Sequence, residues 1–389
     1  MVGNLSGSIS TEMKLLIISN MAHYLDKETV VGWGPTVREI NAMLDIFEEI
    51  THIGCLHSTS APKSSLPYSS ANIKFIPVPP TGGNGLWNKL NILWHIPLYV
   101  STMLKKLGNA DVVHVRAPAN IPLIALIVLA FYPKPIKRWV KYAGNWKPEG
   151  ADPISYRIQR WLIDKNVFRG FATINGEWAD QAKHIHSFLN PCFTVEELYL
   201  VRQQRLSKEM IQPVEIIFVG RVEEEKGAGR TIKIAKALDN AGINFNLSMI
   251  GPSKVLDDYR TLVQGEGLEH KITIYGELPR EEINEYYQKA HFILLPSNAA
   301  EGWPKVLSEA MGYGVVVLAS DISGIGKYLK ELGSGYAYHF SDLQSYSEAI
   351  KTMITHPELW KANSENGKKN ADLFTYEEYL VKINKLINE

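Results

Sequence analysis

The sequence predicts an α/β protein of two domains, each built on a parallel, doubly wound sheet. Three observations predict it. The chain has 389 residues, which is long for a single core. Apolar runs of strand length alternate with helical patterns, as in parallel sheets with right-handed crossovers. Glycine-containing loops follow strand after strand, at the carboxyl ends where such sheets bind ligands. The 45% hydrophobic and 21% charged residues fit a soluble globular protein.

The first strand is Lys14–Asn20 (KLLIISN), after a polar leader. A loop to Gly32–Trp33–Gly34–Pro35 leads into a helical pattern through Val37, Ile40, Met43 and Leu44. Gly32 and Gly34 allow a backbone to approach a ligand closely, although a tight turn without a ligand fits as well. Glu49–Leu56 and Ile73–Val78 are further strands, separated by a Ser/Pro-rich loop; Thr81–Gly85 is a flexible loop. Leu86–Leu107 is amphipathic, with Trp87, Trp94, Leu98 and three lysines, and Pro97 should kink or divide it. Such a segment suits a membrane interface, or a helix packed on the core.

Asp111–Arg116 (DVVHVR) is a strand that puts His114 and Arg116 near the ligand edge. Ile121–Tyr132 is an apolar helix too short to span a bilayer, followed by the basic PKPIKRWVK. Trp139–Tyr142 (WVKY) is a strand whose following loop, Ala143–Gly144–Asn145–Trp146, is a candidate wall for an acceptor. A helix over Ile154–Val167 and a strand over Phe171–Asn175 complete a first domain of residues 1–195, with a polar linker at 196–213.

The second domain, residues 214–373, is more regular. Strands Val214–Val219, Phe245–Ile250, Lys271–Tyr275, Phe292–Leu295 and Val315–Ala319, the last of them, alternate with helices over Thr231–Ala241, Leu256–Gly265 and Arg280–Ala290. Their carboxyl ends gather Arg221, Lys226, Gly251, Gly276, Glu301 and Gly324 along one edge. Arg221 and Lys226 stand where a diphosphate could meet them, or in a solvated loop beside Glu223–Glu225.

The chain is organised around His291–Gly314, HFILLPSNAAEGWPKVLSEAMGYG. Pro296 stops a buried strand, and Ser297–Gly302 is loop chemistry. Pro304 suits a first helical position, where its missing N–H costs nothing. The helix N-terminus is an anion site by virtue of its free N–H groups and dipole. Glu301 and Glu309 flank it. Two carboxylates repel a bare phosphate, yet they suit a ligand that also carries hydroxyls. An ordinary strand–helix unit with two solvated glutamates fits the same spacing.

Formal net charge is zero, so nothing indicates bulk nucleic-acid binding, and no nucleic-acid partner is expected. The charge is nonetheless uneven. Residues 1–195 hold 19 Lys and Arg against 13 Asp and Glu, a balance of +6, and the remainder carries −6. A basic first half could face an anionic membrane or a phosphorylated acceptor, or be an uneven surface with no partner. Cys55 and Cys192 are too few for a disulfide framework, and no metal-ligand spacing is present. The N-terminus has no signal-peptide pattern, so the expected setting is the cytoplasm.

FVGRVEEEKG (Phe218–Gly227), GELPREEINEYYQKAHFILLPS (Gly276–Ser297) and EGWPKVLSEAMGYGVVVLAS (Glu301–Ser320) together resemble the C-terminal half of a family 4, GT-B glycosyltransferase, in order and spacing. The first half resembles that family more loosely. The resemblance implies two Rossmann-like domains facing across a cleft, a nucleotide-sugar donor, no required metal or other cofactor, and hexosyl transfer with retention of anomeric configuration. It implies Arg221 and Lys226 on the donor diphosphate, Glu301 at the transferred sugar as the catalytic carboxylate, and Glu309 at the ribose. Gly302, Trp303, Lys305, Val306 and Leu307 would place the phosphates, and Gly276 would border the base. Gly32, Gly34, His114 and Asn145 would line the acceptor side of the cleft. Many relatives carry Gly at the Pro304 position, and a His in the loop that here reads Ala143–Gly144–Asn145, so no catalytic His is carried over. Phe374–Asn388 resembles the final helix that returns to the first domain. The expected acceptor is a glycan, lipid-linked, with docking at the inner face of the plasma membrane. A sugar-nucleotide epimerase and a non-catalytic donor-binding subunit are the alternatives.

Overall fold

The first strand runs through the middle of a large sheet because Leu15, Leu16, Ile17 and Ile18 are all buried and face its two sides in alternation. The computed structural model describes residues 12–81, 86–148, 153–204, 207–299 and 302–389. The strands are β1 (Lys14–Asp26), β2 (Thr29–Trp33), β3 (Glu49–His57), β4 (Ser65–Pro67), β5 (Ile73–Val78), β6 (Val112–Ala117), β7 (Lys137–Tyr142), β8 (Phe171–Ile174) and β9 (Ile185–Ser187) in the first sheet. The second sheet holds β10 (Val214–Val219), β11 (Phe245–Ile250), β12 (Ile272–Gly276), β13 (Phe292–Leu295), β14 (Val316–Ser320) and β15 (Gly335–Tyr338).

In the first sheet β5, β3, β1, β6, β7, β8 and β9 are neighbours in that order and parallel. One face packs under the helices Leu86–Leu107, Asn120–Phe131 and Ile154–Asp164, through Ile18, Val113 and Val140. The other packs under Gly34–Ala42 and Tyr376–Asn388, through Leu15, Ile17 and Trp139. The second sheet is parallel throughout, in the order β12–β11–β10–β13–β14–β15. Its central strand β13 is wholly buried, as a strand covered on both faces must be.

The chain crosses between the sheets twice, side by side. The N–H of Cys192 donates to the Phe374 carbonyl (2.8 Å) and that of Tyr376 to the Phe193 carbonyl (2.8 Å). The final helix then lays Tyr379, Leu380 and Ile383 against the first sheet. Thr375 caps it by accepting from the Glu378 N–H.

Several local expectations are corrected. β1 continues to Asp26 and pairs antiparallel with β2, so Gly32 lies in a strand and not in a loop. Polar His23 and Tyr24 concealed that hairpin. β15 follows β14, so Val315–Ala319 is not the last strand. The stretch read as linker holds the helix Val195–Gln204, whose Leu198 and Val201 join the second core. Leu86–Leu107 is one helix with Pro97 inside it. The ring leaves the Leu93 carbonyl without its usual donor, and Leu93 is exposed, so water can serve.

Candidate active site

At the carboxyl edge of the second sheet, three loops are tied together. The N–H of Gly251 donates to the Gly276 carbonyl (2.7 Å). A Cβ on Gly251 would lie 1.8 Å from the Gly220 carbonyl oxygen, so only glycine lets these two loops touch. Arg230 links the Arg221–Lys226 loop to the central one: its Nε donates to the Pro296 carbonyl (2.7 Å), and its guanidinium reaches Glu224 (2.8 Å) and Asn298 (3.1 Å). Arg221 is half-exposed and pairs with Glu223. Lys226 ends the short helical turn Glu224–Lys226, and Gly276 closes β12 with φ of +79°.

The central loop then turns into the helix Lys305–Gly312. Glu301 lies outside the described residues. Pro304 holds the N-cap position in an extended conformation, one residue before the helix. The Gly302 N–H donates across the cleft to the Ala143 carbonyl (3.2 Å). A Cβ there would lie 2.6 Å from Asn175, so the close approach of the two domains needs glycine. Trp303 is buried, stacks on Phe374 (5.8 Å, 5°) and donates its indole N–H to Ser308 (2.6 Å). Its carbonyl accepts from Asn190 (2.9 Å). Val306 is half-buried and Leu307 fully buried. Glu309 accepts from the Tyr287 hydroxyl (3.2 Å) and lies 3.7 Å from Arg280 Nε, while Arg280 also pairs with Glu197 (2.8 Å).

On the first-domain side, Gly32 packs against Met21 and His23, and the Gly34 N–H donates to the Ser64 carbonyl (3.0 Å). Asn145, half-buried, accepts from the Lys147 N–H (3.1 Å). His114 is fully buried and stacked on Trp139 at 3.6 Å. Burial first, and then the charge of Arg116, hold it well below the usual histidine range and keep it neutral.

The strongest electrostatic feature was not legible in the sequence. Glu39, 1% exposed on the helix Gly34–Ala42, meets Arg116 (2.7 Å), Lys141 (2.8 Å) and Lys305 (3.5 Å). Burial alone would raise its pKa, but the three cations outweigh this and hold it well below the carboxylate range. Burial pulls Lys141 down to about 7 despite the ion pair. Lys305 also donates to the Pro35 carbonyl (2.9 Å). The first residue of the helix Lys305–Gly312 is therefore anchored in the first domain. In the sequence Glu39 is one polar position in an amphipathic helix, and nothing local marks it as buried.

Residues 203–370 match the family described as Glycosyl transferases group 1. Among curated relatives, the amylovoran biosynthesis glycosyltransferase AmsK of Erwinia amylovora is 33% identical over 151 residues. That alignment covers 38% of this chain and 37% of the relative's own length. Among solved structures, sucrose-phosphate synthase from Thermosynechococcus elongatus superposes with a TM-score of 0.69 at 16% identity, covering 97% of this chain and 98% of the other. Anabaena Alr3699/HepE, solved in complex with UDP and glucose, gives 0.67 at 16% identity, with 97% and 100% covered. Residues 203–370 therefore form a Glycosyl transferases group 1 domain, within a chain that has the GT-B fold.

Proposed function

We propose that the protein is a retaining glycosyltransferase of the family 4 type. It moves a hexosyl group from a nucleoside diphosphate sugar on the second domain to a lipid-linked glycan acceptor on the first. Its place is polysaccharide or glycolipid biosynthesis, as a peripheral protein at the inner face of the plasma membrane. The observation that carries the reading is the meeting of the Gly220, Gly251 and Gly276 loops and Pro296–Asn298 at one sheet edge, with Gly302 and Lys305 joined across the cleft to the first domain. A donor lying over those loops has its sugar between the two domains.

In this reading Arg221 and Lys226 neutralise the leaving diphosphate, where negative charge grows in the transition state. The first N–H groups of the helix Lys305–Gly312 add to that field. Glu301 is the carboxylate that stabilises the oxocarbenium-like character of the transferred sugar. Glu309 binds the ribose, exchanging part of its contact with Tyr287 and Arg280 for the ligand. The names of the relatives favour transfer over epimerisation or a purely binding role.

Thermal shifts with a panel of nucleotide sugars test the donor assignment. One base should stabilise the protein, by an increment that Lys226→Ala removes. A flat response across the panel would contradict the reading.

A further inference from the structure

Three helices lie side by side on one face of the first sheet: Leu86–Leu107, Asn120–Phe131 and Ile154–Asp164. Each should present a polar outer side to water. Instead Trp94 and Phe131 are 85% and 86% exposed, with Leu98, Ile154 and Trp161 beside them. Ile136, in the loop that follows the second helix, is 85% exposed. Soluble monomers rarely leave apolar side chains exposed across three adjacent elements.

The charges on this face have one sign. Lys105 and Lys106 end the first helix, Lys134 sits in the loop beside Ile136, and Arg157 lies on the third helix, all exposed. The three helices hold a single carboxylate, Asp164, and Lys165 pairs with it at 3.0 Å. On the third helix Ile154, Arg157, Ile158 and Trp161 line an open groove of about 420 Å³, three apolar walls and one guanidinium.

We propose that this three-helix face is a docking surface for an anionic phospholipid bilayer. Trp94, Phe131, Ile136 and Trp161 enter the headgroup–acyl boundary, and the groove beside Arg157 takes one lipid, phosphate on the guanidinium. The proposal gives a definite surface to the lipid-linked acceptor reading above, on which it rests only for its biological sense. A bilayer is favoured over a second copy of the chain by charge. A twofold contact would set this basic face against itself, whereas anionic headgroups neutralise it. No described helix is long and apolar enough to cross a membrane, so the mode is interfacial.

The test uses the full chain and vesicles of phosphatidylcholine, with or without phosphatidylglycerol, at low and high salt. Binding should require phosphatidylglycerol and weaken with salt. Tryptophan emission should shift to the blue and be quenched by brominated acyl chains, and Trp94→Phe should remove part of both effects. Lys105→Gln with Lys106→Gln should weaken partitioning by about fivefold per charge removed. Trp94→Gln with Trp161→Gln should weaken it without changing the salt dependence. Absence of binding at low salt, binding unchanged by both pairs, or a dimer that hides Trp94 from quenchers would each overturn the proposal. Calorimetry with UDP and GDP on the same preparations separates the readings. Nucleotide binding without vesicle binding overturns the surface alone, and the reverse overturns the donor assignment alone.

Discussion

Replacing Glu39 by glutamine keeps the volume of the side chain and removes its charge. Arg116, Lys141 and Lys305 then face one another in a site that is 1% exposed at its centre. Removing one partner of a buried ion pair typically costs about 3–5 kcal/mol. The upper part of that range applies if all three cations stay charged. Lys141, already down to about 7, can relieve it by losing its proton, but Arg116 cannot. At about 2 cal/mol/K per residue of unfolding entropy, the loss lowers Tm by roughly 4–6 °C if both domains melt together. Calorimetry at neutral pH reads it. Glu39→Gln with Lys141→Met should recover part of the loss, because it removes one uncompensated cation. The variant should also regain stability as pH rises. A lysine depressed in the folded state is protonated mainly in the unfolded chain between its folded pKa and about 10.4, so raising pH there favours folding. An unchanged Tm for Glu39→Gln, or no recovery in the double variant, would refute the reasoning.

Lys226→Ala should weaken nucleoside diphosphate binding by about 1.5–3 kcal/mol, the range of a hydrogen bond to a charged group, as read by calorimetry with UDP and GDP. Unchanged affinity would remove Lys226 from the donor site. In the proposed reading Glu301→Gln lowers kcat more than it raises KM, because a contact with the sugar strengthens as charge develops there; full kcat would exclude the catalytic role. Glu309→Gln should mainly raise KM. If bracing Tyr287 and Arg280 is its whole role, it will lower Tm with no selective effect on KM. Acid should destabilise the fold. Burial lowers the pKa of His23 and His291 to about 4 and holds His52 and His114 well below the ordinary value. The unfolded chain therefore binds more protons between about pH 6.5 and 4, and stability is lost as pH falls through that window, by about 1.4 kcal/mol per pH unit for each histidine. A Tm constant from pH 7 to 5 would contradict this.

The repeating strands and helices of the second domain were legible because their apolar runs are long and fully buried, as in Phe292–Leu295. Such runs need no distant partner to be recognised. The hairpin of β1 and β2 was not legible, since besides the Met21 carbonyl (3.1 Å) His23 is held by Tyr68 (2.7 Å) and the Cys55 carbonyl (3.3 Å), which come from elsewhere in the first domain. The candidate site divides in the same way. Arg221, Lys226 and the Glu301–Glu309 spacing announce themselves locally. Glu39 does not, because its partners lie 77, 102 and 266 positions away and only the fold brings them together. Arg280 was hidden for the same reason: it reads as a surface position at a helix start, yet it holds Glu197 and approaches Glu309.

The most direct test of the central claim is acceptor-dependent release of nucleotide from the stabilising donor, with the anomeric configuration of the product read by proton coupling. The account predicts release that needs the acceptor, is slowed by Glu301→Gln, and gives a linkage of the same configuration as the donor. Release that proceeds fully without acceptor, or a product of inverted configuration, would contradict it.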